Sequence, residues 1–366
     1  MSLEVDPVRS FQVRQSNLAE IQWRESRGDD ALADSQVDVA IRRFAFTANN
    51  VTYARLGPPI PTLGFGYWDF FPVDADWGCI PVWGLADVVA SRHAALDEGK
   101  TLFGFFPLAT HLRLNVGAVS GATVLDQSAH RRSLPATYNQ YLIADQGLGL
   151  SAEAMDAYMV LRPSFSLSFC CASHLSEQRW FDARRVVISS ASSKAAMGLA
   201  MLLADEDIEV VGLTSSRRVH EIDSRAVFDR VVPYEGVTSL PNDVPTIFVD
   251  IANTSEVTHT VHEHLGPRLR ASIAAGFTHG SDFGEGLPGP SRELFMAPAH
   301  MQRLQGVWGK ELYWQRFTEA WRRFHALIAR HTAFVHTTGS TGVERVYREV
   351  LQGQVSDDTA HVLSIQ

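Results

Sequence analysis

The stretch RRVVISSASSKAAMGLAMLLADEDIEVVGLTSS, residues 184–216, decides the fold of this chain. Its apolar run VVI predicts a buried strand, the small residues that follow predict a loop, AAMGLAMLLA predicts a helix, and IEVVGLT predicts a second strand. Apolar strands that alternate with helices are typical of a parallel sheet covered on both faces. VPTIFVDIA (244–252) and LRASIAAGFTHG (269–280) add two more buried strands. The second half of the chain is therefore predicted to be an α/β domain with a doubly wound parallel sheet.

The first part of the chain has a different pattern. VDVAIRRFAF (37–46) alternates and is rich in β-branched residues, which predicts a strand. Further short strands are predicted in 78–91, 100–116 and 138–144. Regularly spaced short strands indicate a small barrel or sandwich. Since 366 residues are enough for two domains of ordinary size, the sequence predicts a β domain and an α/β domain.

The bulk composition excludes several classes of protein. Hydrophobic residues make up 45% and charged residues 20%, the balance of a folded globular protein. A net charge of −9 argues against nucleic acid as a partner, because phosphate binding needs a basic surface. No apolar run approaches the roughly 20 residues that cross a bilayer. With three cysteines and no secretory signal, we expect a cytoplasmic protein with no membrane partner.

The loop at 189–196, SSASSKAA, is the main candidate for a phosphate-binding site. In dinucleotide folds the pyrophosphate lies at the amino end of the first helix, where unsatisfied N–H groups and the helix dipole attract negative charge. The usual fingerprint is rich in glycine, but here the first glycine is Gly198. Small side chains still allow close approach if no position needs a positive φ. The alternative is an ordinary strand-to-helix turn. The predicted cofactor ligands in this loop are Ser190, Ser192, Ser193, Lys194 and Ala195.

The second strand of this unit ends in hydroxyl residues and arginine. A site that prefers NAD would place an acidic residue here to hold the ribose 2′-hydroxyl. Arginine instead matches the geometry of a 2′-phosphate, so the sequence predicts NADP(H). A solvated helix start is the alternative. The predicted ligands of this phosphate are Thr214, Ser215, Ser216 and Arg217. Asp250 and Gly276, which end two later strands, are expected to border the nicotinamide half.

Several stretches together resemble the medium-chain dehydrogenase/reductase superfamily, in particular its zinc-independent quinone oxidoreductase and enoyl reductase branch. These are VAIRRFAFTANNVTYARLG, EGKTLFGFF, YNQYLIAD, VVISSASSKAAMGLAMLLA and FDRVVPYE. The most similar members belong to an uncharacterised branch with an SSASSK-type loop. The resemblance implies a GroES-like β-barrel domain (1–159 and 332–366) and a Rossmann dinucleotide-binding domain (160–331). It also implies that Tyr234 contacts the cofactor, and that the chain forms a homodimer through an edge strand, with LRASIAAGF as the candidate.

The sequence predicts no metal site. Zinc-dependent members of the superfamily use a catalytic Cys/His/acid set and often a four-cysteine lobe, and the three cysteines here cannot supply such a lobe. His259, His262 and His264 have the spacing H-x-x-H-x-H. On a helix the third histidine does not fully share the face of the other two, so a polar helix face is the favoured interpretation.

Without a metal, hydride transfer to a carbonyl or an enone still needs a donor where negative charge develops. By the resemblance, Asn50 and Tyr53 lie in the segment that lines the nicotinamide pocket, and they are the candidate catalytic residues. A turn-forming Asn and a packing Tyr are the alternatives. Tyr67 and Trp68 are predicted to line the entrance of the substrate pocket, although packing beneath a loop would equally explain them. Phe295 and Trp308 are predicted to close the substrate side.

Two functions remain open at this point. The first is an NADP(H)-dependent, zinc-independent oxidoreductase that transfers hydride to or from a carbonyl or activated C=C of a small-molecule substrate. The second is a non-redox descendant of the fold with a decayed nucleotide site, either a lyase-like enzyme or a binding scaffold. The missing fingerprint glycines favour the second function, and the hydroxyls and arginine at 214–217 favour the first.

Overall fold

The computed structural model describes residues 7–26, 31–61, 64–144, 152–275 and 286–366. Gly276, a predicted cofactor ligand, lies outside the described residues. The chain divides into two compact units. The first unit comprises Met1–Val160 and Thr332–Gln366, and the second comprises Leu161–His331.

The regular elements follow in chain order. The strands are β1 (Val8–Arg14), β2 (Asn17–Ser26), β3 (Gln36–Phe46), β4 (Trp77–Cys79), β5 (Pro81–Ser91), β6 (Thr101–Pro107), β7 (His111–Ser120), β8 (Thr123–Asp126), β9 (Gln140–Ile143), β10 (Arg185–Ile188), β11 (Glu209–Thr214), β12 (Arg230–Pro233), β13 (Thr246–Asp250), β14 (Leu269–Ala274), β15 (Arg292–Leu294), β16 (Ala333–Thr338) and β17 (Thr359–Ser364). The helices are α1 (Ala48–Arg55), α2 (Ala152–Glu177), α3 (Lys194–Leu203), α4 (Val219–Asp223), α5 (Ser255–Leu265), α6 (Ala297–Trp308), α7 (Lys310–Ala329) and α8 (Ser340–Leu351). None of these helices is both long and apolar enough to cross a bilayer.

The first unit is built on an antiparallel sheet that closes on itself. Its strands run in the order β3-β5-β6-β9-β8-β7, and β7 pairs back to β3. Alternate side chains of these strands fill the interior, as the period-2 pattern predicts. Glycine is required at 104, because a Cβ there would lie 2.1 Å from the ring of Tyr141. β17 pairs with β3, and β16 pairs with β17. The predicted GroES-like barrel is confirmed.

The second unit contains a fully parallel sheet in the order β12-β11-β10-β13-β14-β15. Counted from β10 as the first strand, this is the order 3-2-1-4-5-6 of a Rossmann sheet. The central strands are apolar and fully buried because helices cover both faces, which explains the uninterrupted run VVI. The predicted Rossmann fold is confirmed. In such a sheet, ligands bind at the carboxyl ends of the strands, where the order reverses between β10 and β13.

Two features of the second unit differ from the sequence predictions. Helix α2 was not predicted, and its Phe165 stacks on Phe324 of α7 at 4.8 Å between ring centroids. The strand β14 was the candidate dimer edge, but β15 pairs along its outer side, with Ser272 opposite Arg292. β14 is therefore an interior strand, and the prediction that it provides a free edge was wrong. The homodimer itself stays a prediction.

Candidate functional site

The loop between β10 and α3 lies at the position where a Rossmann sheet binds phosphate. Ser193 caps the helix, since its side chain accepts the N–H of Ala196 at 3.1 Å. The first N–H groups of an α-helix have no intrahelical acceptor, and the dipole makes this end attractive to anions. Lys194 begins the helix and adds a positive charge to it. The loop therefore has the local structure of an anion-binding helix start.

Ser190 adopts the left-handed conformation that glycine normally supplies, with φ of 56°. The sequence argument required that no loop position has a positive φ, and this requirement is not met. For a residue with a Cβ this conformation costs about 1–2 kcal/mol. The backbone N–H of Ser190 donates to the hydroxyl of Tyr234 at 3.1 Å. The fold thus brings Tyr234 to this loop, and Ser190 adopts a conformation that favours glycine.

The small residues of the loop permit tight packing against the neighbouring strand. The side chain of Ala191 is fully buried and faces β11. A Cβ built on Gly212 of β11 would approach the Cβ of Ala191 to 2.8 Å, closer than real Cβ atoms come. Small size at 191 and 212 is therefore a packing requirement of the strand and the loop. This accounts for part of the small-residue character that the sequence analysis assigned to phosphate binding.

Ser189 joins the loop to the end of β13. Its hydroxyl donates to Asp250 Oδ1 at 2.7 Å and accepts the N–H groups of Ile251 and Ala252 at 2.8 and 3.0 Å. The other carboxylate oxygen of Asp250 accepts from the Thr258 hydroxyl at 2.7 Å. Asp250 therefore ties two strand ends together at the switch point of the sheet. Its predicted contact with the nicotinamide half of a cofactor stays a prediction.

Arg292 of β15 completes this network, and the sequence analysis did not single it out. Its guanidinium donates to Asp250 Oδ2 and to Asn253 Oδ1, both at 2.8 Å. The side chains of Arg292 and Asp250 are only 2% and 0% exposed. A buried charge of either sign is costly alone, so each of these groups requires the other.

At the end of β11 the structure brings a carboxylate to the predicted 2′-phosphate site. The exposed Ser216 donates to Glu235 Oε2 at 2.9 Å, and Glu235 lies 19 residues after that serine in the chain. Hydrogen bonds from its own backbone N–H and from Ser216 lower the pKa of Glu235. Thr214 is buried, Ser215 is half-buried and Arg217 is exposed. The local sequence contains no acid here, but the fold supplies one.

Four aromatic side chains of the first unit form a buried cluster. Tyr53 stacks on Tyr67 at 4.5 Å between centroids, and the Tyr67 and Tyr138 hydroxyls lie 2.9 Å apart. The hydroxyl of Tyr53 accepts from Asn49 at 2.7 Å and from the Trp83 indole at 3.2 Å. Burial raises the pKa of Tyr67 well above its usual range, so it stays protonated. The predicted residues Tyr53 and Tyr67 are thus in contact.

Asn50 and Trp68 have contacts that a structural role explains. Asn50 belongs to the capping box of α1: its Oδ1 accepts the Thr47 N–H at 2.8 Å, and its Nδ2 donates to Pro81 O at 2.9 Å. Trp68 is buried against Gly57, where a Cβ would lie 2.0 Å from the indole. Asn49, which sequence reasoning passed over, is the amide that contacts the Tyr53 hydroxyl. The predicted roles of Asn50 in catalysis and of Trp68 in the pocket stay predictions.

The two aromatic residues predicted for the substrate side have separate surroundings in the second unit. Phe295 is buried and stacks on His300 at 4.0 Å. Trp308 packs edge-on against Phe169 and has the Arg316 guanidinium 4.5 Å from its ring centroid. Their predicted role in closing the substrate pocket stays a prediction.

The three histidines with the spacing H-x-x-H-x-H do not converge. His262 is buried and contacts Ser272 Oγ at 2.8 Å and Pro288 O at 2.9 Å. His264 contacts Leu240 O at 2.8 Å, and the exposed His259 contacts its own helix. Each ring therefore has its own hydrogen-bonding partner. Because His262 is fully buried, the three histidines do not form the polar helix face that was predicted.

A GroES-like barrel combined with a Rossmann sheet of order 3-2-1-4-5-6 defines the medium-chain dehydrogenase/reductase fold. The chain belongs to the family described as "Protein of unknown function (DUF2855)", whose model matches residues 44–356. A comparison with curated proteins finds no match.

Solved structures with this fold align over nearly the whole chain. CurA from Vibrio vulnificus in complex with NADPH has a TM-score of 0.63 and 11% identity, covering 98% of this chain and 99% of that one. CurK enoyl reductase has a TM-score of 0.57 and 14% identity, with the same coverage. A mutant enoyl thioester reductase from Candida tropicalis has a TM-score of 0.52 and 10% identity, covering 98% and 100%. At such identities the likeness establishes the fold.

Proposed function

We propose that the chain is an NADP(H)-dependent oxidoreductase. The observation that carries the proposal is the loop at 189–193, which lies at the switch point of the sheet and enters a capped helix. The neighbours crystallised with NADPH or NADP share this fold and support the choice of nucleotide.

The residues of the second unit fit such a nucleotide. The N–H groups of Ser190, Ala191 and Ser193 already donate to protein acceptors, so the pyrophosphate would lie at residues 192–195, where α3 begins. The 2′-phosphate would meet Ser215, Ser216 and Arg217. The side chain of Ala191 points into the protein, so it leaves the opposite side of the loop to a ligand. A Rossmann sheet with these groups would hold the diphosphate chiefly through main-chain N–H groups and the helix dipole.

When bound, the cofactor supplies or accepts hydride. The chain's own contribution is to polarise a carbonyl or an activated C=C of a small-molecule substrate without a catalytic zinc. We assign this to the hydroxyl of Tyr53, which Asn49 and Trp83 hold in position by donating to it. Tyr67 and Tyr138 add further hydroxyls to the same cluster. We also propose that the active form is a cytoplasmic homodimer, as the resemblance to the superfamily implies.

The binding test compares NADPH with NADH by calorimetry and thermal shift. A ligand at about 100 times its Kd stabilises the protein by roughly 2.7 kcal/mol. We expect Arg217→Leu to weaken NADPH at least tenfold and to leave NADH nearly unchanged. Arg268→Leu is the matched control, because this exposed arginine lies at the amino end of β14, at the opposite end of the parallel strands.

Glu235 provides an independent arm of this test. Its carboxylate beside Ser216 would repel the dianionic 2′-phosphate, so Glu235→Gln should tighten NADPH and not NADH. No stabilisation of the parent chain by either nucleotide would refute the proposal and favour the non-redox descendant.

The catalytic test follows NADPH oxidation with a panel of enones, enals and quinones. Loss of a proton donor typically costs 10²–10⁴-fold in rate, so we expect Tyr53→Phe to lower kcat by at least about 100-fold. The affinity for NADPH should remain unchanged. A Tyr53→Phe enzyme of full activity would exclude this residue as the polarising group.

A further inference from the structure

Three side chains of the second unit that carry metal-ligating groups converge at one point. They are His174 of α2, Glu293 of β15 and His300 of α6, and each can place one ligand atom so that all three atoms lie within 4.8 Å of one another. His174 Nε2 and Glu293 Oε2 are 3.5 Å apart. Among the described residues this is the one group of three or more such side chains.

Two ring nitrogens of this group have no hydrogen-bond partner among the described residues. His174 Nε2 and His300 Nδ1 are buried atoms for which the described residues provide no hydrogen bond. The side chain of His174 is only 9% exposed. Leaving a buried polar atom unsatisfied costs about 1–3 kcal/mol, so two such atoms in one place require an explanation.

We propose that His174, Glu293 and His300 form a binding site for a divalent transition-metal ion, zinc by its donor set. Two imidazoles and one carboxylate are a ligand combination that zinc accepts, with bonds of roughly 2.0–2.2 Å. Tetrahedral geometry then places neighbouring ligand atoms about 3.4 Å apart. The separation of 3.5 Å between His174 Nε2 and Glu293 Oε2 already matches this value. Since all three atoms lie within 4.8 Å, His300 would need to approach by about 1.4 Å at most.

The surroundings orient two of the three side chains, Glu293 and His300. Arg292 is tied to Asp250, and because side chains alternate along a strand this fixes the neighbouring Glu293 on the opposite face of β15. Phe295 stacks on the ring of His300 with 17° between the planes. Groups that orient the ligands in this way are a general feature of metal sites.

A guanidinium and a thiol lie near the three side chains. Arg303 opposes a cation, but it forms an ion pair with Glu177. Cys171 lies one turn before His174, and burial, Cys170 and Glu293 raise its pKa, so it remains a thiol. Among the described residues, no fourth His, Cys, Asp or Glu joins this group.

The ion would join α2, β15 and α6. β15 has only three residues and forms the outer strand of the sheet. We therefore expect the ion to stabilise β15 more than either helix. This inference does not depend on nucleotide binding, because neither His174 nor His300 belongs to the loop at 189–196.

The test uses the full chain without an affinity tag, freed of metal with a chelator and dialysed. Calorimetry with Zn²⁺ should give one equivalent with a Kd in the micromolar range or below. Addition of Co²⁺ should give visible d–d absorption, and Zn²⁺ should raise the Tm. Loss of groups that only orient a ligand costs 10–100-fold in affinity, so we expect His300→Ala and Glu293→Gln to cost at least as much. His259→Ala, which removes an exposed histidine of the same unit, is the control and should bind like the parent.

Replacing the buried His174 with alanine could prevent folding. Glu293→Gln keeps the size of an exposed side chain, so this variant tests metal binding in a folded chain. Equal Zn²⁺ affinity in the parent, Glu293→Gln and His300→Ala chains would overturn the proposal. So would a stoichiometry well below one in the parent. If Zn²⁺ raised the Tm of the Glu293→Gln chain as much as that of the parent, other groups would bind the ion and the proposed site would be excluded.

Discussion

Replacing Ser189 with alanine should destabilise the second unit more than any other serine substitution in the loop at 189–193. The hydroxyl of Ser189 accepts two buried backbone N–H groups, those of Ile251 and Ala252, and donates to the buried Asp250. Each buried donor left unsatisfied costs about 1–3 kcal/mol. The space left by one oxygen atom is smaller than the ~30 Å³ share of a water molecule, so no water restores these bonds. If the structure around residue 189 relaxes in part, Ser189→Ala should lower the free energy of unfolding by about 3 kcal/mol.

The assay is urea unfolding, with hydrogen exchange of β10 amides to assign the transition to the second unit. For a unit of 150–250 residues, 1 kcal/mol shifts Tm by about 2–4 °C, so we expect a decrease of about 6–12 °C. Ser193→Ala, which removes only a helix cap, should cost about 1 kcal/mol. Exposed Ser216→Ala should change the free energy of unfolding by less than about 0.5 kcal/mol. If Ser189→Ala costs no more than Ser193→Ala at an unchanged m-value, the account of the Ser189 network is wrong.

Two further outcomes are expected. Ser190→Gly should raise the free energy of unfolding by about 0.5 kcal/mol, because relief of the left-handed strain exceeds the entropy cost of glycine, whereas Ser190→Val should lower it by more than about 1 kcal/mol. Equal losses in both variants, measured by urea unfolding, would contradict this. The stability of the first unit should fall above pH ~10, the usual tyrosine pKa, because burial raises the pKa of Tyr141 to about 12 despite the opposing Arg131. The unfolded chain then loses its proton first, and the stabilisation disappears between these two pH values. Tyr141→Phe should reduce the slope of unfolding free energy against pH in this range, and an unchanged slope would exclude the assignment.

The order of the elements could be predicted where the pattern of apolar residues was clear. The run VVI and the strand IEVVGLT gave the Rossmann sheet, because strands buried on both faces contain few polar residues. The alternation in 37–46 gave the first barrel strand. Helix α2 escaped prediction because its apolar residues surround the helix and no polar face marks a period of 3.6. β15 escaped because three residues are too few for any pattern.

The candidate site was predictable only in part. The loop was found from strand, small residues and helix in sequence, but a serine gives no sign that its φ is positive. Glu235 and Arg292 reach the site from distant segments, so no local motif contains them. The same holds for His174, whose partners Glu293 and His300 follow far along the chain. Residues that are far apart in the sequence and adjacent only in the fold do not form a local motif, so motif searches do not detect them.

The first unit has a consequence for the order of folding during synthesis. Its strand β3 pairs with β17, with Phe46 opposite His361, so the sheet joins the beginning of the chain to its last residues. The whole second unit, Leu161–His331, is inserted between these partners. Contacts of such long sequence separation form slowly. On the ribosome the second unit can therefore fold before β17 emerges and pairs with β3.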